Sequence, residues 1–284
     1  MSENVRKQLQ LNGSLPKGSK KRYKRSRSSK KNVSEPTQPS PTQQQPEPKV
    51  VAAEVIAPEF DVDIAQEVVF KPNPGPQTSF LSASEREVLY GGAAGGGKSF
   101  AMLADPLHGL NDPNFSGLLV RHTTEELREL IQKSQELYPK AIPGIKWSER
   151  KSQWIAPRGG RLWMSYLDKD MDVTRYQGQA FNWIGFDELT QWPTPYAWDY
   201  MRSRLRSAFS SQLGLYMRAT TNPGGNGHQW VKKMFIDPSP PNDSFWATNI
   251  ETGDTIKFPK GHSREGQPLF KRRFIPASLF DNPY

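Results

Sequence analysis

Residues Gly92-Ala93-Ala94-Gly95-Gly96-Gly97-Lys98-Ser99 read G-x-x-x-x-G-K-S, and few stretches of eight residues restrict a fold as tightly. The glycines let backbone N–H groups turn inward around a chain of phosphates. Lys98 supplies a point charge for β- and γ-phosphates, and the Ser99 hydroxyl is a ligand for Mg²⁺. Such a loop works between a strand and a helix, whereas a plain glycine-rich turn needs neither. Glu87-Val88-Leu89-Tyr90 reads as the strand. Phe100-Ala101-Met102-Leu103-Ala104 reads as the start of a helix whose N-terminal dipole favours an anion. The expectation is a site for ATP and Mg²⁺, with the whole segment from Gly92 through Ala93, Ala94, Gly95, Gly96 and Gly97 to Lys98 and Ser99 wrapping the phosphates.

The remaining pattern fits that frame. Leu118-Leu119-Val120 is a second strand candidate. Thr123 with Glu126 forms a capping box ahead of Leu127, Leu130, Ile131, Ser134 and Leu137, which predicts an amphipathic helix. Gln153–Ala156 and Arg161–Met164 flank Pro157-Arg158-Gly159-Gly160, a hairpin signal. Phe181–Phe186 and Leu213–Ala219 are further strand candidates, and Phe70 to Gln77 reads as a proline-stiffened extended entry. Strands alternating with helices predict an α/β protein of the P-loop NTPase class (ASCE, RecA-like). Its central sheet would be mainly parallel and flanked by helices, with the loop at the carboxyl end of the first core strand.

Charge separates the chain into two parts. Residues 1–57 hold 12 Lys/Arg and 4 Asp/Glu, a balance of +8, whereas residues 58–284 hold 26 and 25, a balance of +1. Nine bases and no acid lie between Lys17 and Lys31, and a Pro/Gln/Thr/Ser-rich stretch follows. Such composition cannot bury enough apolar area to offset chain entropy, so residues 1–57 are expected to be a disordered basic tail ahead of an ATPase domain at 58–284. The tail reads either as a contact for nucleic acid or an acidic partner, or as a solvated segment with no specific ligand. With no cysteine, disulfides and Cys-based metal sites are excluded. No apolar run approaches membrane-spanning length and the N-terminus lacks an apolar signal core, so a soluble intracellular protein is expected.

Hydrolysis needs more than a phosphate cradle. The apolar run Phe181 to Phe186 ends in Asp187-Glu188. Asp187 fits the Mg²⁺ partner, and Glu188 fits the base that orients and polarises the attacking water. Alone, two acids after a strand are also an ordinary solvated strand end. Thr220-Thr221-Asn222-Pro223-Gly224-Gly225 offers two hydroxyls and an amide that can bond near a γ-phosphate and report its loss. It reads equally as a plain β-turn.

Taken together and in order, these blocks resemble the ATPase domain of phage terminase large subunits, the motors that package viral DNA. The matching pieces are Pro72-x-Pro74-x-Pro76-Gln77, Leu89 to Ser99, Tyr176-Gln177-Gly178, Ile184 to Glu188, Ser203-Arg204-Leu205-Arg206, Thr221 to Gly224, His228-x-Trp230-Val231-Lys232, and Phe274 to Ala277 with Asp281-Asn282-Pro283. The resemblance implies that Gln77 reads the adenine edge and that Gly92 to Ser99 is the Walker A loop. It makes Asp187 and Glu188 the Walker B pair. Thr220, Thr221 and Asn222 become the motif that couples hydrolysis to movement on double-stranded DNA. It also implies a homo-oligomeric ring on the procapsid portal protein in the host cytoplasm, a terminase small subunit as partner, and no membrane. A neighbouring subunit would supply an arginine finger, with Arg175 the first candidate and Arg204 the second. Either arginine reads otherwise as a surface salt bridge.

Two departures from the family pattern stand out. Ala93 and Ala94 occupy places where some members carry a basic residue, which raises the need for an arginine from elsewhere. The family's RNase H-like nuclease domain is also not expected within these 284 residues, so no nuclease activity is expected of them. A superfamily 2 helicase shares the Walker motifs but needs a second RecA-like lobe, for which residues 189–284 are too few. A non-catalytic DNA-binding module would not need Lys98, Asp187 and Glu188 together.

Overall fold

The computed structural model describes residues 68–93, 95–207, 214–278 and 281. The tail at 1–57, Ala94, Leu213, Asn282 and Pro283 lie outside the described residues. Nine strands form one sheet: β1 Glu87–Gly92, β2 Ser116–Arg121, β3 Lys146–Ser148, β4 Gln153–Ile155, β5 Arg161–Tyr166, β6 Trp183–Phe186, β7 Tyr216–Thr221, β8 Ser244–Trp246 and β9 Lys271–Ala277. Their order across the sheet is β3-β4-β5-β2-β6-β7-β1-β9-β8. The six strands from β5 to β9 in that order run parallel, and the pairings at both edges are antiparallel.

A parallel sheet is covered on both faces, so its strands alternate between two cores rather than between core and solvent. Val88 and Tyr90 of β1 and Leu119 of β2 join one core, with Phe80, Met102, Tyr138 and Trp183. Leu89, Leu118 and Val120 join the other, with Phe186, Trp192, Trp198 and Phe235. The first core is covered by helices α1 (Pro76–Leu81), α2 (Lys98–Ala104), α3 (Leu107–Leu110) and α4 (Thr124–Ala141). The second is covered by α5 (Tyr196–Arg202) and α6 (His228–Val231), the latter running on into a π-helical turn at Lys232–Ile236.

The capping box is fully formed. The Glu126 N–H donates to the Thr123 hydroxyl at 3.3 Å, and the Thr123 N–H donates to the Glu126 carboxylate at 3.4 Å. The expected hairpin is β4–β5. The expected strand over 181–186 is shorter than its apolar run, because Phe181 bridges to Leu205 instead. The strand expected over 213–219 is displaced to Tyr216–Thr221. The proline-stiffened entry does not run on to Gln77: Pro74 and Gly75 form a turn, and Pro76 has its ring-fixed φ at the start of α1, where a missing N–H costs nothing.

Candidate active site

The loop after β1 is held from several sides. Gly92 has φ 140°, and a Cβ there would stand 1.8 Å from the Ala277 carbonyl oxygen, so any side chain would drive β9 away from β1. The Ala93 N–H donates to that same carbonyl at 3.1 Å. The buried Tyr90 hydroxyl donates to the Gly96 carbonyl at 2.8 Å, and the Tyr90 ring stacks on Phe80 at 5.2 Å. Burial pushes the Tyr90 phenol up to about 12, with Asp281 adding to the shift, so it stays a donor. Gln77 is also buried: its side-chain amide donates to the Gly97 carbonyl at 3.0 Å and accepts from the Asn73 N–H at 2.6 Å.

Lys98 begins α2, and its ammonium donates to the carbonyls of Gly92 (3.3 Å) and Ala93 (2.5 Å). Burial lowers its pKa, while Glu188 and Asp187 pull the value back up. Ser99 lies one residue on, its hydroxyl 3.5 Å from Asp187 Oδ2. Asp187 is fully buried at the end of β6. Its other oxygen accepts from the Thr220 hydroxyl. The Arg121 guanidinium, at the end of β2, forms an ion pair with it at 2.7 Å and reaches Glu126 at 3.7 Å.

Glu188 adopts a left-handed backbone, φ 63° and ψ 55°. That conformation is uncommon outside glycine and asparagine. It is braced by the Glu188 N–H donating to the Thr220 hydroxyl at 3.0 Å. Both carboxylate oxygens are held by one residue: the Asn222 N–H reaches Oε2 at 3.0 Å and the Asn222 side-chain amide reaches Oε1 at 2.7 Å. Burial raises the Glu188 pKa, and the Asp187 charge raises it further against the opposing pull of Arg121, Asn222 and Lys98. The buried Asn222 Oδ1 has no hydrogen-bond partner among the described residues. Glu188 and Asn222 form one wall of a cavity of about 290 Å³, with Gly95, Gly97, Lys98, Ser99, Phe100 and Lys133 around it.

The structure thus brings Gly95, Gly97, Lys98, Ser99, Glu188 and Asn222 to one cavity, with Asp187 directly behind. Thr221 does not line the cavity; its hydroxyl donates to the Thr190 hydroxyl at 2.8 Å, and the Thr220 hydroxyl contacts the Asp187 carboxylate and the Glu188 N–H. Arg175 is outside the cavity. It donates to the Tyr166 carbonyl at 2.6 Å and pairs with Asp172 at 3.8 Å. Arg204 follows α5, and its carbonyl accepts from Phe181 at the amino end of β6, the end of the sheet away from the loop.

The description "Terminase large subunit, T4likevirus-type, N-terminal" belongs to the family model that matches residues 89–254, more than half of the chain. The chain belongs to this family. The terminase fold is shared with the ATPase domain of the Thermus phage P74-26 large terminase, at 13% identity and TM-score 0.50 over 75% of this chain and 83% of that one. It is shared likewise with the large terminase of a second thermophilic bacteriophage, at 13% identity and TM-score 0.50, where 75% of this chain covers 47% of that one. No curated protein matches the chain in sequence.

Three contributors to this terminase site were not legible beforehand. Arg121 lies 66 positions from the Asp187 it pairs with, Lys133 enters from the middle of α4, and Ala277 closes the loop from β9. Only the Phe274–Ala277 block had a sequence signal, and that was a family resemblance without a geometric role.

Proposed function

We propose that this chain is the ATP-hydrolysing motor domain of a terminase large subunit, driving translocation of viral DNA into a procapsid. The observation that carries the reading is the convergence of Lys98, Ser99, Glu188 and Asn222 on one cavity at the carboxyl ends of parallel strands, with Asp187 buried within reach of Ser99. Hard oxygen donors suit Mg²⁺, which usually keeps waters and phosphate oxygens rather than taking a full protein cage. Ser99 and Asp187 fit that need with their oxygens 3.5 Å apart.

Mg²⁺-ATP supplies the scissile phosphoanhydride and charge neutralisation on its phosphates. The residues do the rest. Lys98 exchanges its two carbonyl contacts for phosphate oxygens. Gln77 has a second amide N–H for the purine edge while it braces Gly97. Glu188 accepts the proton of the attacking water, and Asn222 holds its carboxylate in place for that step. Since Asn222 grips both oxygens of Glu188 and begins the Pro223-Gly224-Gly225 turn, motion of that turn moves the base. This is the physical content of a coupling motif. Thr221 transmits the same motion to Thr190.

Arg175 is half-exposed in the 3₁₀ helix Asp170–Tyr176, away from its own cavity, and serves as the finger for a neighbour in a homo-oligomeric ring. Arg204 is the second candidate, less favoured because it lies at the opposite end of the sheet. The portal protein, the small subunit, double-stranded DNA and a host-cytoplasm location complete the proposal, as do the domain limits 1–57 and 58–284. The deciding measurement is ATP turnover with and without duplex DNA and portal. Stimulation by both is expected; turnover indifferent to both would contradict the motor reading. Mixing Arg175→Ala with Glu188→Gln subunits should partly rescue turnover in assembled rings, and rescue by Arg204→Ala instead would move the finger there.

A further inference from the structure

Between β8 and β9 the chain leaves the sheet and returns as a projection, residues 247–270. It is tied by its own ladder. The Ile256 N–H donates to the Ala247 carbonyl and the Leu269 N–H to the Ile256 carbonyl, both at 2.8 Å, and the Phe258 N–H donates to Gln267 at 2.9 Å. The tip turn is also closed, since the Gly261 N–H donates to the Glu265 carboxylate at 2.8 Å. It is therefore an ordered feature rather than a loose loop.

Its charge is divided between its turns. Residues 249–254 hold two acids, Glu251 and Asp254, and no base. Residues 257–266 hold three bases, Lys257, Lys260 and Arg264, and one acid, Glu265, and Lys271 follows at the start of β9. Lys257, Lys260, Arg264 and Lys271 are exposed, and none has an acidic partner within 4.0 Å among the described residues. Glu265 is occupied with the turn it closes. Two of the cations rest on aromatic rings: Arg264 lies 4.2 Å from the Phe258 ring centre, and Lys271 lies 5.3 Å from that of the exposed Trp246. His262 stacks on the same Phe258 at 4.4 Å. A guanidinium resting on a ring is pre-oriented, with its N–H fork left for an oxyanion.

We propose that the tip of this projection, with Lys257, Lys260 and Arg264, is a contact surface for the phosphate backbone of duplex DNA. The inference rests on the motor reading above and assigns the DNA a specific place. An acidic protein surface would be met better by a wide, mixed-charge face. A short turn with several unpaired cations and aromatic supports fits a line of phosphates. The projection springs from the amino end of β9, so it lies at the end of the sheet opposite the ATP loop, roughly 17 Å away along β1 by ordinary strand rise. Arg272 ties the projection to the amino end of the sheet: it donates to the Thr248 carbonyl at 2.8 Å and to Glu87, the first residue of β1, at 2.8 Å.

The test is the binding of labelled duplex DNA by the full chain, read by fluorescence anisotropy across a salt series. Three proteins are compared: wild type, the triple variant Lys257→Gln/Lys260→Gln/Arg264→Gln, and a control that loses three exposed charges elsewhere, Arg128→Gln/Lys140→Gln/Lys146→Gln. The tail is common to all three. The tip variant should lower the slope of log K against log salt by about 2 to 3, while the control leaves it unchanged. If wild type binds and both variants behave alike, the tip is no DNA surface although the motor reading stands, and an acidic protein partner becomes the better occupant. If wild type fails to bind duplex DNA at any salt, the motor reading and this proposal fall together.

Discussion

Glu188, the base of the proposed reaction, sits on a left-handed backbone. Its positive φ is maintained by Thr220, and its carboxylate is clamped by Asn222. Glu188→Gln preserves shape and removes basicity. Nucleotide affinity should stay near wild type while turnover falls by roughly 10²–10⁴, in a filter-binding assay paired with phosphate release. Burial and the Asp187 charge raise the Glu188 pKa, and a protonated carboxyl accepts no proton. The acid limb of kcat against pH should therefore sit above the ordinary carboxylate range, with activity lost as pH falls through the raised value. The Gln variant should lack that limb. Glycine, lysine and acid at their spacings made this much legible in sequence, because those residue types have few other reasons to occur together. Arg121 was invisible because its meaning depends on β2 lying beside β6, which only the fold decides.

At the scale of elements, the buried carboxylate of Glu87 joins β1 to α5 and β9 through Arg202 and Arg272. Burial alone would raise its pKa, but the two guanidinium groups override that and hold it at about 2. The folded value lies below the unfolded one, so the stabilisation is fully present above about pH 4.5 and is lost as pH falls toward 2. Glu87→Gln would leave two buried guanidinium groups facing an uncharged amide. It should cost about 3–5 kcal/mol in denaturant unfolding and flatten the acid limb of stability between those pH values. Wild-type acid sensitivity persisting in the variant would assign that limb to other carboxylates. Long periodic elements such as α4 were readable from their caps and spacing. The three-residue strands β3 and β8 were not, since so short a run carries no period, and β9 was hidden because its Lys-Arg-Arg start reads as surface.

For the whole molecule, charge divides sharply along the sequence. The +8 balance of residues 1–57 precedes in sequence every residue that lines the nucleotide cavity, the first of which is Gly95. Deleting residues 1–57 should leave nucleotide affinity and thermal unfolding unchanged and lower DNA affinity mainly at low salt. An unchanged salt slope after deletion would mean that the tail meets something other than nucleic acid. The parallel order of the sheet was predictable from alternating strands and helices, but the position of β9 against β1 was not. A crossover that runs from Thr221 at the end of β7 to Lys271 leaves no local trace.

That position has a consequence in time. The loop residues Gly92–Ser99 are made early, but the backbone that closes them, Ala277, follows Ser99 by 178 residues. At about 5–20 residues per second, a ribosome needs roughly 10–40 s to cover that interval. Until β9 emerges and pairs, β1 lacks one of its two neighbours, and the loop lacks the carbonyl that anchors Ala93. A nascent chain therefore carries the whole nucleotide signature without the geometry to use it. On the motor reading proposed above, such a chain should turn over no ATP until β9 is seated against β1.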